Sequence, residues 1–246
     1  MVPRRRRLSW LGAVLLLVAL PAAGQIPEDM RLQVGDVAEP ARFTAGAPGE
    51  RKGVVMLLPD GLGPRATGLA EALATGLARH GWDVVDVRAG ILRHEAAFAA
   101  PEALAGEMGE LVAAVRSRTR DRRRPSDIYV VGHGWGGILA GLYLDGRADP
   151  PVAGLAVLNA APPPRLTELG FQHLLPGITV PVMDIWSGRS YLRVTGNAEA
   201  RSRAAGVGRG DGFRQLELAV ADHHFTDRED WLVKRLRGWL KRQRGD

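Results

Sequence analysis

From Lys52 onward the chain alternates short, continuous apolar runs with stretches of helical periodicity, and this alternation limits the possible folds more than any other feature. Gly53-Val54-Val55-Met56-Leu57-Leu58 contains no polar side chain, which suits a strand covered on both faces. Trp82 to Val87, Ile128 to Val131, Leu155 to Leu158, Val180 to Ile185 and Leu216 to Val220 are further runs of strand length. Between them, Ala66 to His80 repeats Leu69, Leu73 and Leu77 at helical spacing and closes on Gly81. Glu102 to Arg118 places Leu104, Met108, Leu111, Val112 and Val115 on one face, and Ile138 to Leu144 and the C-terminal stretch complete the helices. Strands separated by helices pair in parallel through right-handed crossovers, so the predicted class is α/β, a mostly parallel sheet with helices on both faces. Ahead of it, Arg31 to Val34 and Ala41 to Thr44 predict an edge hairpin or meander. Gly188 to Gly212, rich in Gly, Arg and Ala, fits a helix, a lid or a loop equally well.

The first residues follow a different logic. Arg4 to Arg7 precede an apolar run from Leu8 to Leu20 that ends in Pro21-Ala22-Ala23-Gly24, the layout of a secretory signal peptide with small residues at its cleavage site. The expectation is export, cleavage near Gly24-Gln25, and one domain over 25–246 in the periplasm or outside the cell. The adjacent arginines admit twin-arginine as well as general export, and an uncleaved anchor is disfavoured because the run is short for a bilayer. The formal net charge is +6, and four of the positive charges are Arg4 to Arg7, so the remainder is close to neutral. That balance is no footprint of a nucleic-acid binder; Arg120 to Arg124 and Lys234 to Arg244 read as solvated helix faces, against the alternative of local patches that attract anionic lipid or polymer. Without cysteine, disulfides, thiolate metal sites and cysteine nucleophiles are excluded.

Gly132-His133-Gly134-Trp135-Gly136-Gly137 lies between a strand and a helix. In the α/β-hydrolase fold this corner carries G-x-S-x-G, a strained turn that lifts a serine hydroxyl above the sheet. Here the frame reads G-H-G-W-G, with Gly134 at the position of the nucleophile. Further on, Asp184 in Val182-Met183-Asp184-Ile185-Trp186 is the predicted orienting acid, and His223 in Ala221-Asp222-His223-His224-Phe225 the predicted base, with His133 as a further candidate. The order of nucleophile position, acid and histidine agrees with that fold. Asp60, Gly61 and Leu62, with Trp135 after the turn, form the expected oxyanion-type loop. Gly132, Gly134 and Gly137 also satisfy G-x-G-x-x-G, but Trp135 crowds the phosphate position and Leu158-Asn159-Ala160 lacks a ribose-binding acid. No cofactor is therefore assigned. With no H-E-x-x-H or similar spacing, no metal ligand is assigned either.

The chain resembles a group of exported bacterial α/β-hydrolase-like proteins catalogued as a domain of unknown function. The resemblance rests on Val130-Val131-Gly132-His133-Gly134, Pro181-Val182-Met183-Asp184-Ile185, Phe213-Arg214-Gln215-Leu216 and Leu232 to Leu240. It implies the fold, the compartment and a G-H-G turn that lacks serine as a usual feature, and it supplies no activity. Three functions follow as expectations. The first is a degenerate hydrolase that binds a small molecule or an envelope partner, for which Gly134→Ser is expected to restore activity. The second is an active ester or thioester hydrolase that uses water or a hydroxyl away from the turn, Ser187 or Ser190 being nearest, with His133, His223 or His224 as base and Asp184 orienting it. Converging histidines and carboxylates would admit metal-assisted hydrolysis under that second heading. The third is peripheral membrane contact through the basic amphipathic C-terminal helix, set against the alternative that Leu232, Leu236, Trp239 and Leu240 pack on the sheet.

Overall fold

The structure is a computed structural model and describes residues 26–48, 52–120, 128–164, 166–206 and 212–245. The expected signal peptide and residues 121–124 of the basic run lie outside the described residues. The chain forms an eight-stranded sheet: β1 Glu28–Val34, β2 Val37–Thr44, β3 Gly53–Leu58, β4 Trp82–Val87, β5 Ile128–His133, β6 Gly154–Leu158, β7 Val182–Arg189 and β8 Phe213–Asp222. The α-helices among the described residues are α1 Pro64–Ala78, α2 Pro101–Thr119, α3 Trp135–Leu144, α4 Phe171–Leu174, α5 Leu192–Thr195, α6 Ala198–Gly206 and α7 Glu229–Arg244.

The strands lie in the order β1-β2-β4-β3-β5-β6-β7-β8. β1 and β2 form the expected hairpin, and β2 runs antiparallel to β4. All pairs from β4 to β8 are parallel. The burial pattern follows the sequence: β3, β4, β5 and β6 are buried at every residue, while β1 alternates from Asp29 to Val34 because one of its faces meets solvent.

Two apolar layers flank the sheet. One joins α2, α3 and α4 to the face that carries Val54, Met56, Val130 and Val157. The other joins α1 and α7 to the face that carries Val55, Leu57, Tyr129 and Val131. In α1 the leucines at 69, 73 and 77 are buried, and Pro64 opens the helix where a backbone N–H would lack a partner anyway. In α7, Leu232, Leu236 and Leu240 are fully buried, worth about 1.5–3 kcal/mol each. The apolar face of the last helix therefore lies on the sheet, beside Tyr129 and Trp82, and its basic face points outward. Among the described residues no helix is long and apolar enough to cross a membrane.

Candidate functional site

At the corner after β5 the chain turns sharply and enters α3. Gly134 holds φ 51° and ψ −115°, a conformation that strains any residue with a Cβ. Its neighbours are glycines because backbones touch here: a Cβ on Gly132 would lie 2.5 Å from the Gly137 Cα, and one on Gly136 would lie 2.1 Å from the Leu58 carbonyl oxygen. Trp135, fully buried, donates its indole N–H to the Ile91 carbonyl at 3.1 Å and pins the start of the helix.

The space above Gly134 is filled by Asp60, from the loop after β3. A Cβ on Gly134 would stand 2.2 Å from the Asp60 Cγ and within 2.6 Å of both carboxylate oxygens. Asp60 Oδ1 accepts the backbone N–H of Trp135 at 2.8 Å, the donor that an oxyanion hole would use, and Gly61 N–H is turned to the Pro59 carbonyl at 3.0 Å. The loop was expected to offer backbone donors; what it brings is a carboxylate. Asp60 Oδ2 pairs with His223 Nε2 at 2.9 Å, and Oδ1 lies 3.4 Å from His94 Nε2. Burial alone would raise this carboxyl, but hydrogen bonds from His223, His94 and the Trp135 backbone outweigh it and hold Asp60 well below the usual carboxylate range. His94 shifts the other way, raised by its bond to Asp60.

His223 lies immediately after β8, as the sequence predicts. Its Nδ1 lies 2.8 Å from Ser190 Oγ, and the Tyr191 ring covers it at a centroid distance of 4.4 Å. Its carbonyl accepts two bonds, from His133 Nε2 at 2.9 Å and Asn159 Nδ2 at 2.7 Å. Asn159, with φ 50° and no exposed surface, also bonds Ser187 through Oδ1 to its N–H at 2.7 Å, and so ties β6, β7 and the histidine together. Burial pushes His133 down to about 4, leaving it neutral at pH 7, and also lowers His224.

The expected role of Asp184 needs correcting. β7 runs on to Arg189, so Asp184 is its third residue and not its end. Fully buried, Asp184 binds Arg201 of α6 at 2.7 Å and Gln215 of β8 at 2.9 Å. The residue that follows the strand and meets His223 is Ser190, and the carboxylate on the other ring nitrogen belongs to Asp60. Gly188 to Gly206 forms the end of β7, α5 and α6; residues 207–211 lie outside the described set.

Four histidine rings therefore gather near one carboxylate: His94 by its bond to Asp60, and His133, His223 and His224 within 5.3 Å of one another, centroid to centroid. Asp60, His133 and His223 each place one ligating atom within 4.8 Å of the others, a set that can hold a metal ion. Beside them opens a cleft of about 750 Å³, lined among others by Asp60, Leu62, Arg65, His94, Tyr191 and His224. His94 and Asn159 as site residues were not legible in the sequence, since nothing in their local pattern marks them; Ser190 was visible only as a hydroxyl close to Asp184.

Residues 108–242, just over half of the chain, match the family described as Protein of unknown function (DUF3530). No curated protein matches the chain by sequence. Among solved structures, Est1E from Butyrivibrio proteoclasticus superposes with a TM-score of 0.68 at 12% identity, over 89% of this chain and 99% of that one. A dienelactone hydrolase from Anabaena variabilis gives 0.64 at 16% identity, over 89% and 97%. A structure described as an alpha-beta serine hydrolase homologue from Coxiella burnetii gives 0.62 at 16% identity, over 85% and 95%. At such identities the likeness shows the fold alone, which is α/β-hydrolase-like.

Proposed function

We propose that this chain, which belongs to the family described as Protein of unknown function (DUF3530), is an exported binding protein on an α/β-hydrolase-like frame, with a carboxylate where serine chemistry would take place. The observation that carries this reading is the position of Asp60, its Cγ 2.2 Å from where a Cβ on Gly134 would stand and its Oδ1 bonded to the Trp135 N–H. A serine hydrolase needs both a nucleophile and a free donor for the oxyanion, and each place is taken. The cleft, with Arg65, His94 and His224 on its wall, suits a small molecule with an anionic or hydrogen-bond-accepting group, or an extended partner that presents one. Export rests on Arg4 to Arg7 and the apolar run that follows them.

One observation favours a second reading, an active ester hydrolase. Ser190 Oγ, His223 and Asp60 form a serine-histidine-aspartate relay, with Ser190 on Nδ1 and Asp60 on Nε2. In that relay His223 takes the Ser190 proton as Oγ attacks an ester carbonyl, then returns it to the leaving alcohol, and water cleaves the acyl-enzyme. This reading ranks second because the Trp135 N–H is held by Asp60 and the Ser190 N–H by the Ser187 carbonyl, so neither is free for an oxyanion.

Hydrolysis of short-chain aryl esters by residues 25–246, assayed in chelator, separates the two. A silent parent that gains activity in the Asp60→Ala/Gly134→Ser double variant supports the binding reading. Parent turnover that disappears in Ser190→Ala refutes it and supports the relay.

A further inference from the structure

We propose that Asp60, His133 and His223 form a binding site for a divalent transition-metal ion of the zinc type, beside the cleft that Asp60 lines. The ligating atoms lie within 4.8 Å of one another. Around a tetrahedral zinc with bonds of about 2.0–2.2 Å they would stand about 3.4 Å apart, so the widest pair has to close by no more than about 1.4 Å.

The outer hydrogen bonds carry the argument further than proximity does. Metal-binding histidines and carboxylates are oriented by partners on their far atoms, and each of these residues has one. His133 Nε2 donates to the His223 carbonyl at 2.9 Å, which leaves Nδ1 as the nitrogen with a lone pair. That Nδ1 is buried and has no hydrogen-bond partner, on a residue only 4% exposed. A buried polar atom without a partner is costly, and a metal ion would satisfy it. His223 Nδ1 is held by Ser190 Oγ at 2.8 Å, leaving Nε2, and Asp60 Oδ1 by the Trp135 N–H at 2.8 Å, leaving Oδ2. The ion would replace the 2.9 Å bond now joining those two atoms.

Two imidazoles and one carboxylate select zinc-like metals over magnesium or calcium, which prefer all-oxygen shells. Three protein ligands with a fourth position open is the pattern of sites that keep water or a ligand on the metal. Of the three ligands Asp60 also lines the cleft, where His94 and His224 stand, so a fourth ligand would enter on the Asp60 side. The inference concerns the same cleft as the binding reading but does not need it: metal titration uses no organic ligand, and the ester assay is run in chelator, so one can fail while the other stands.

The test is isothermal titration of residues 25–246, freed of any histidine tag and stripped with chelator, with zinc chloride, followed by the visible spectrum with cobalt chloride. The expected result is one zinc per chain, weakened at least 100-fold in His133→Ala and in Asp60→Asn and unchanged in His80→Ala and His173→Ala. Ser190→Ala, which removes only an outer partner, should weaken binding about 10-fold and keep the stoichiometry. If a variant unfolds, the parent's cobalt spectrum decides: strong bands of a four- or five-coordinate ion support the site. The weak spectrum of hydrated cobalt, the absence of stoichiometric zinc, or equal affinity in Asp60→Asn would overturn it.

Discussion

Replacing Gly134 with serine, the obvious way to rebuild a hydrolase, is expected to fail in a specific manner. The new Cβ falls 2.2 Å from the Asp60 Cγ, closer than real Cβ contacts ever come, so the carboxylate must leave. Leaving breaks its bonds at 2.8 Å to the Trp135 N–H and at 2.9 Å to His223 Nε2. To this is added backbone strain at φ 51°, about 1–3 kcal/mol for a residue with a side chain, and overpacking of about 1–3 kcal/mol. Strain and overpacking alone should therefore lower the unfolding free energy of Gly134→Ser by about 2–6 kcal/mol, with the lost bonds adding to this, and the variant should stay inactive. Removing the carboxylate first relieves the clash, so in a double-mutant cycle with Asp60→Ala by urea unfolding the two changes should be less costly together than separately, by at least about 1 kcal/mol. Additive costs within about 0.5 kcal/mol, or a Gly134→Ser variant as stable as the parent, would refute the idea that Asp60 occupies the nucleophile's space.

Other consequences are open to the same methods. Because burial depresses His133 to about 4 from an unfolded value of 6.5, the unfolded chain binds the extra proton between those pH values; stability is full above pH 6.5 and falls by about 3 kcal/mol on acidification to pH 4. That slope should flatten in His133→Asn, and an unchanged slope assigns it elsewhere. Asp184→Ala leaves the Arg201 guanidinium buried without its partner and should cost about 3–5 kcal/mol with little effect on zinc affinity or ester turnover in any active variant, whereas an orienting acid would lose turnover at intact stability. Ser190 follows β7, where this fold places its acid, so adding Ser190→Asp to Asp60→Ala/Gly134→Ser should raise ester hydrolysis by at least 10-fold; no gain would mean that the frame no longer aligns a triad.

The sheet was legible because each of its inner strands is an apolar run with no wet face, as Gly53 to Leu58 shows, and because the leucines of α1 repeat at 69, 73 and 77. The turn at Gly134 was legible because only glycines tolerate the contacts with Leu58 and Gly137. The position of His223 followed from the end of β8. Asp184 was misplaced for an identifiable reason: Trp186-Ser187-Gly188-Arg189 has the mixed polarity of a loop, yet it continues β7 along the edge strand, with a register shift between Ser187 and Arg189. The direction of the Asp60 side chain and the approach of His94 are set by tertiary packing between segments far apart in sequence. A pattern of polar and apolar residues carries no record of either.

The central claim, that Asp60 has displaced serine chemistry from this site, is tested most directly by exposing the parent chain, in chelator, to a fluorophosphonate that phosphonylates activated serines, and reading its intact mass. The account requires the mass to stay unchanged, because Gly134 offers no hydroxyl and the Ser190 N–H is turned to the Ser187 carbonyl. A stoichiometric adduct that maps to Ser190 would contradict it and establish the Ser190-His223-Asp60 relay as a working nucleophile.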